Sequence, residues 1–458
     1  MSTYRYALAL LGAMTLAGCG SSGPEYNVLL ITVDTTRADY VGCLGGDPRN
    51  TPNMDALAAR SVLFTNAASE TNVTNPSHIS ILTGRRAIDH GVISNVVPVP
   101  EDVVTLPAHL GSMGYQTAGF IAADHLQRFP EWDGFDECPP VPGVLDANQI
   151  VDQAVGFLRE RDPERPFFLW THYFDAHTLY QPPADIARAY YSGNPAAGDG
   201  PAINQHPYFA KADNQAIIQW LETRSGPVRD IEYGRAMYSA EIHFMDREIG
   251  RLLDELEAQG LAENTIVVLV ADHGESLEEH GLWYDHKGLY EQQLRIPLIV
   301  HVPGMKPGKV DAFASTIDVA PTVVEALGIE AGGPMNGLSL IDAMRGNPRS
   351  LVERDTFVHQ NAHNHTVAVR SGDWKLVHPI NKNHKVIPGE PQLFNLQEDP
   401  GELVNLHGGE AERAQAMRRL LDPWIALGKV TKGSSIALTP EDKQALKDLG
   451  YAGDVEDE

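Results

Sequence analysis

The chain has 458 residues, 43% of them hydrophobic, and a formal net charge of -26 at pH 7. That length and apolar content allow a large core, either one big α/β domain with a smaller partner or two or three ordinary domains. The charge argues against nucleic acid and against an anionic membrane surface as partners. Anionic substrates stay open, because a buried metal ion reverses the sign of the local field.

Residues 1–18 read as a signal peptide, since Arg5 precedes an apolar run, Tyr6 to Leu16, too short to span a membrane. Leu16-Ala17-Gly18-Cys19 resembles the bacterial lipobox, in which the Cys is lipidated and becomes the first mature residue. Residues 19–26, with Gly20-Ser21-Ser22-Gly23-Pro24, would then be a tether. A plain secretory signal predicts the same export. The lipid reading places the protein at the periplasmic or cell-surface face of the outer membrane, touching the bilayer only through Cys19. Cys43 and Cys138 remain in the mature chain, and whether they pair is left open.

Residues 27–33 are nearly all apolar and β-branched, which predicts a buried central strand ending at Asp34. Residues 52–60 predict a helix with Pro52 in its first turn. A polar turn, Glu70-Thr71-Asn72-Val73-Thr74-Asn75-Pro76, then enters an apolar helical segment that closes at Gly84. Pro76 suits a helix start and puts Thr74 just before it, as an N-cap or as a hydroxyl beside an anion-binding corner. A helix over 106–113, a strand over 115–122 and a helix over 149–161 follow. The strand predicted over 167–173 delivers Asp175-Ala176-His177 at its end. Residues 178–230 lack periodicity and read as a lid or substrate-facing insertion rather than a second core. A long amphipathic helix over 231–259 precedes a second buried strand, 265–271, which ends at Asp272-His273-Gly274-Glu275. A strand over 296–302 and a helix over 317–327 complete an α/β domain spanning 27–350. From 351 the period changes to short alternating strands (356–360, 366–370, 374–378 and 392–396). A helix over 411–421 and the acidic tail Glu456-Asp457-Glu458 end an α+β domain, 351–458.

If the strands over 27–33 and 265–271 are parallel neighbours, Asp34, Asp272 and His273 converge where open α/β sheets bind their ligands. Two carboxylates and an imidazole suit a divalent cation with open positions, and Thr74 at a helix start completes the set.

On these motifs the chain resembles the sulfatase family of the alkaline-phosphatase superfamily along nearly its whole mature length. Val33-Asp34-Thr35-Thr36-Arg37-Ala38-Asp39 is similar to that family's first metal-binding strand end. Thr74-Asn75-Pro76-Ser77-His78 with Leu82-Thr83-Gly84 resembles its nucleophile motif, and Ala271-Asp272-His273-Gly274-Glu275 its second metal motif. Lys287-Gly288-Leu289-Tyr290-Glu291 resembles the segment carrying a substrate-binding Lys, and His172 to His177 the place of a catalytic His. Gln392 to Leu406 follows the family's C-terminal signature. The resemblance implies a large, mostly parallel sheet flanked by helices, with a smaller C-terminal α+β domain holding a short antiparallel sheet. It also implies metal-dependent ester hydrolysis. One divalent ion is expected at Asp34, Asp272, His273 and Thr74; Ca²⁺ is the first choice, with Mn²⁺, Mg²⁺ and Zn²⁺ as alternatives. Lys287 and His78 would hold substrate oxygens and His177 would protonate the leaving oxygen.

The departures carry chemistry. The nucleophile position is Thr74 rather than Cys or Ser, so no formylglycine is expected; His78 replaces an Arg, Thr35 an Asp, and a Lys-x-His pair near residues 122–125 keeps only His125. Thr has one hydroxyl and cannot expel sulfate by collapsing to an aldehyde, which tilts the reading toward phosphate or phosphonate esters, with sulfate esters still open. The substrate would be a small molecule or glycan bearing such an ester. The alternatives are a phosphoryl- or phosphoglycerol-type transferase acting on envelope polymers, or a catalytically silent lipoprotein that binds sulfated or phosphorylated glycans.

Overall fold

The structure, a computed structural model, describes residues 26–426 except 128–133, 211–214, 224–225, 355, 362–365 and 382–389. The signal segment, Cys19 and the acidic tail lie outside the described residues.

The strands are β1 (Asn27–Val33), β2 (Val62–Phe64), β3 (Gln116–Ile121), β4 (Phe167–Tyr173), β5 (Thr265–Val270), β6 (Leu298–His301) and β7 (Gly308–Val310). They form one sheet in the order β7-β2-β6-β5-β1-β4-β3. β1 lies between β4 and β5, parallel to both, and every one of its side chains is buried. Such all-apolar strands occur where helices cover both faces of a sheet. The parallel register places Thr32 opposite Val270, so β1 and β5 end side by side and release Asp34 and Asp272 together. The strand expected over 296–302 exists as β6, but it runs antiparallel to β5 and β2. Its apolar run is silent about direction. The sheet is therefore mixed, with a single reversed strand.

Helix α1 (Pro52–Ala59), α2 (Thr74–Thr83), α3 (Ala147–Glu160), α4 (Ile231–Ala258) and α5 (Val319–Leu327) cover the sheet. α4 is tied to α1 by Asp246, whose carboxylate accepts the Asn53 and Met54 backbone N–H groups at the start of α1. Those are amides no intrahelical partner can reach. Among the described residues, no helix is long and apolar enough to cross a membrane. Cys43 is a free thiol.

The insertion over 178–230 does have a core of its own. Tyr180, Ile203, Phe209, Ile217 and Leu221 pack with Met237, Tyr238 and Ile242 of α4 as a separate apolar cluster. Aromatic side chains reach it from short, irregular segments, so the packing leaves no period in the sequence.

The C-terminal strands β8 (Thr356–Asn361), β9 (Thr366–Ser371), β10 (Trp374–Pro379) and β11 (Gln392–Asn395) form an antiparallel sheet in chain order, with α6 (Ala411–Leu420) against it. The sheet is anchored to the α/β domain by an apolar cluster of Leu289, Leu294, Ala368, Val377 and Phe394 and by polar contacts. His359 Nδ1 donates to the Ser69 carbonyl at 2.7 Å, and Gln360 N to the Glu70 carbonyl at 3.2 Å. Lys375 is fully buried, with its Nζ 2.9 Å from Glu291 and 2.6 Å from Glu402. The smaller domain thus grips the turn that leads into Thr74.

Two outcomes follow from these contacts. Lys375→Ala leaves two carboxylates buried without their cation and should cost about 3–5 kcal/mol, measured by urea unfolding. Burial pulls the His359 pKa down to about 3, so the ring is neutral in the fold and takes a proton in the unfolded chain below about 6.5. The unfolded state then binds more protons, so stability should fall as pH drops from about 6.5 toward about 3. His359→Gln, which keeps a donor for Ser69, should flatten that slope in acid unfolding.

Candidate metal centre and nucleophile

Where β1 and β5 end, Asp34, Asp272 and His273 each bring one ligand atom to within 4.8 Å of the others, all fully buried. The turn after β1 is strained. Thr35 has φ 50°, a left-handed conformation that a β-branched residue rarely adopts. It is held by Tyr238, whose hydroxyl donates to the Thr35 carbonyl at 2.6 Å and accepts the Arg37 N–H at 2.9 Å. In return, the Thr35 N–H donates to Asp272 Oδ1 at 3.1 Å. The contribution of Thr35 here is made by its backbone, which orients a carboxylate. Gly274 lets the second strand end pass closely, since a Cβ there would lie 2.1 Å from the Gln292 carbonyl oxygen.

Asp34 Oδ1 and Asp272 Oδ2 are buried and have no hydrogen-bond partner among the described residues. Burial drives both carboxyls well above the usual range, and for Asp272 the Asp34 charge adds to this. Such a pair is costly unless a cation joins it. His273 Nδ1 faces the Gly274 carbonyl at 3.0 Å and so carries the ring proton. Its Nε2 keeps a lone pair, 3.3 Å from Asp272 Oδ2 and 3.5 Å from Thr74 Oγ1. Two orphaned carboxylate oxygens and one imidazole lone pair fit a divalent cation.

Thr74 is the first residue of α2 and Val73 holds the N-cap position without a side-chain cap, so the threonine hydroxyl does not serve as the cap. Ser77 Oγ donates to the Asp272 carbonyl at 2.7 Å, which fixes α2 to the end of β5. Gly84, at φ 65°, closes the helix in the left-handed conformation that glycine adopts without strain.

The remaining expected residues divide. His78 is fully buried; its Nδ1 donates to the Thr74 carbonyl at 2.9 Å and its Nε2 accepts from Thr32 Oγ1 at 3.2 Å. Trp170 Nε1 donates to the same Thr32 hydroxyl at 2.8 Å, which leaves that hydroxyl's proton for His78. Burial and the neighbouring His172 hold the His78 ring neutral. In this structure the neutral ring has both nitrogens engaged and braces the backbone of Thr74, with Nδ1 also 3.6 Å from Asp272 Oδ2. Lys287 pairs with Asp285 at 2.9 Å. His177 stacks on Phe174, with ring centroids 4.3 Å apart, and its Nδ1 donates to the Thr178 carbonyl at 2.7 Å.

Two further histidines are given no role by the motifs. His286 stands between the site and His177, with ring centroids 4.4 Å from His273 and 5.5 Å from His177, and its Nδ1 donates to the Asn72 carbonyl at 2.8 Å. It precedes Lys287 in an irregular loop, where no period says which neighbour points inward. His172 accepts the Ala122 N–H at Nδ1, so its Nε2 donates to Asp34 Oδ2 at 3.3 Å. Strand alternation from β4 is the one signal that could have found it. Glu275 is buried as well and accepts from Thr178 Oγ1 at 3.0 Å.

Comparison with known proteins agrees with this geometry. The family model for sulfatases matches residues 26–329, and the model described as N-sulphoglucosamine sulphohydrolase, C-terminal, matches 278–424. The N-acetylglucosamine-6-O-sulfatase of Bacteroides thetaiotaomicron is 26% identical, over 90% of this chain and 88% of that one. A solved structure in complex with its substrate D-glucosamine-2-N,6-O-disulfate has a TM-score of 0.70 at 23% identity, covering 88% of this chain and 98% of the other. The phosphonate monoester hydrolase of Agrobacterium radiobacter has a TM-score of 0.67 at 21% identity, covering 88% and 95%. The fold is that of the alkaline-phosphatase superfamily, with the expected C-terminal antiparallel sheet.

An Asp272→Asn chain keeps Oδ1 as acceptor for the Thr35 and His273 N–H groups and removes one of two like charges. Without metal it should be at least as stable as the parent. A divalent salt at a hundred times its dissociation constant should stabilise the parent by about 2.7 kcal/mol and leave the variant unmoved, read by calorimetry with and without chelator.

Proposed function

The chain belongs to the sulfatase family, and on that premise we propose that it is a metal-dependent hydrolase of phosphoric or phosphonic esters with Thr74 as its nucleophile. Membership makes it an ester hydrolase; the choice of phosphorus over sulfur is our reading. The observation that carries it is the Thr74 hydroxyl, 3.5 Å from the lone-pair nitrogen of His273 at the edge of the carboxylate pair. A divalent cation held by Asp34, Asp272 and His273 would supply Lewis acidity, lowering the hydroxyl pKa and neutralising charge on the ester oxygens.

In this scheme the Thr74 hydroxyl gives up its proton as Oγ bonds to phosphorus; the bond to the leaving oxygen breaks and that oxygen takes a proton. Water then displaces Oγ from phosphorus, restoring the threonine hydroxyl and freeing phosphate or phosphonate. His78 braces the backbone of Thr74 through its carbonyl, and the first turn of α2 presents the positive end of its dipole. His177 is neutral, its pKa pulled down to about 3 by burial, and its Nδ1 proton is held by Thr178. Its Nε2 must collect a proton before it can protonate a leaving oxygen, so we assign it the part of a relay. The two-hydroxyl chemistry that releases sulfate from a formylglycine hydrate is closed to a threonine, which sets phosphate and phosphonate esters first. Export and lipid attachment at Cys19 complete the proposal.

Aryl phosphate, aryl phosphonate and aryl sulfate esters, offered to the metal-loaded protein, test it. Thr74→Ala should lose at least about a thousandfold in kcat, and Thr74→Ser should retain part of the rate. Undiminished turnover in Thr74→Ala would remove the nucleophile assignment.

A further inference from the structure

On the side of His177 away from His286 the protein opens into a cavity of about 440 Å³. Its wall carries three carboxylates, Asp146, Asp175 and Glu241, with the rings of Phe174 and Phe244 and, among the described residues, no lysine or arginine. The ring row His273, His286, His177 joins this cavity to the metal-ligating cluster. A group on the leaving oxygen long enough to reach past His177 would find space here.

The carboxylates are not all accounted for by the fold. Asp146 is, since it caps α3 by accepting the Gln149 N–H at 3.0 Å. Asp175 Oδ1 accepts the Ala147 N–H at 3.0 Å, but its Oδ2 is buried and has no hydrogen-bond partner among the described residues. Glu241 is only 5% exposed, and of its two oxygens Oε1 accepts the Gln181 N–H. Burial pushes Asp175 up to about 7, and burial with the Asp175 charge pushes Glu241 up to about 9. Two buried acids facing one cavity repel when ionised, and the group that relieves both is a cation. Aromatic faces on the same wall favour an organic cation over a hydrated metal ion.

We propose that this cavity is a subsite for the leaving group of the ester and that it selects a leaving group bearing an organic ammonium. The assignment as a leaving-group subsite rests on the reading of Thr74 and His177 given above; the affinity for an ammonium does not. A net charge of -26 adds a general attraction for cations, so the test must separate the site from the surface.

Benzylamine, cationic at neutral pH, and benzyl alcohol, its neutral near-isostere, are titrated into the full protein by calorimetry at about 0.15 M salt, where surface attraction is screened. Benzylamine should bind at least tenfold more tightly than the alcohol. Glu241→Gln and Asp175→Asn, which keep the acceptors for Gln181 and Ala147, should each lose tenfold or more toward benzylamine and nothing toward the alcohol. Equal binding of the two probes, no binding of either, or benzylamine binding unchanged in both variants overturns the subsite. The same titration in Thr74→Ala separates the two ideas. Undiminished ester turnover there with benzylamine still bound removes the reading of the function and leaves the ammonium subsite standing, whereas lost turnover with benzylamine still bound is the result both expect.

Discussion

Two carboxylates, Asp34 and Asp272, are held side by side in the interior, each with an oxygen that has no hydrogen-bond partner among the described residues. Everything around them deals with that charge. His172 donates to one, and the strained backbone of Thr35 donates to the other. The His273 ring is locked so that its lone pair turns inward. The parallel register of β1 with β5 makes the arrangement unavoidable, because both strands stop at the same level. A site that concentrates negative charge in this way is a metal site in waiting, and its neighbours are placed accordingly.

Thr74, the proposed nucleophile, is positioned by the same elements. Ser77 registers α2 against the carbonyl of Asp272, and His78 supports Thr74 from beneath through a relay that begins at Trp170 and passes Thr32. Asn72 is zipped to the segment carrying His286, donating to the carbonyls of His286 and Gly288. The C-terminal sheet closes over this turn through His359 and Gln360. The smaller domain is therefore part of the support of the site, docked by the buried Lys375 cluster together with the apolar contact of Leu289 and Leu294 with Ala368, Val377 and Phe394.

Much of this was legible in the chain. The strands over 27–33, 167–173 and 265–271 announce themselves as unbroken apolar runs, and acidic residues at two of their ends foretell the buried cluster that could hold a metal. What could not be read follows from loss of period. In Trp283-Tyr284-Asp285-His286-Lys287 nothing distinguishes the residue that faces the site from the one that pairs with Asp285, and the sequence reading singled out Lys287 over His286. His78 lies on a helix whose buried face runs all round, so its direction was equally hidden. The reversed strand β6 and the aromatic cluster of the insertion depend on contacts between distant segments, which a one-dimensional pattern does not record.

The central claim is that Thr74 itself bonds to the phosphorus of the substrate. Rapid acid quench of the metal-loaded protein with an aryl phosphate, followed by mass spectrometry of its peptides, tests it at the bond in question. The account predicts a phosphoryl group on Thr74 formed within the first turnover and lost as product appears. Product released at full rate with Thr74 unmodified throughout would contradict it.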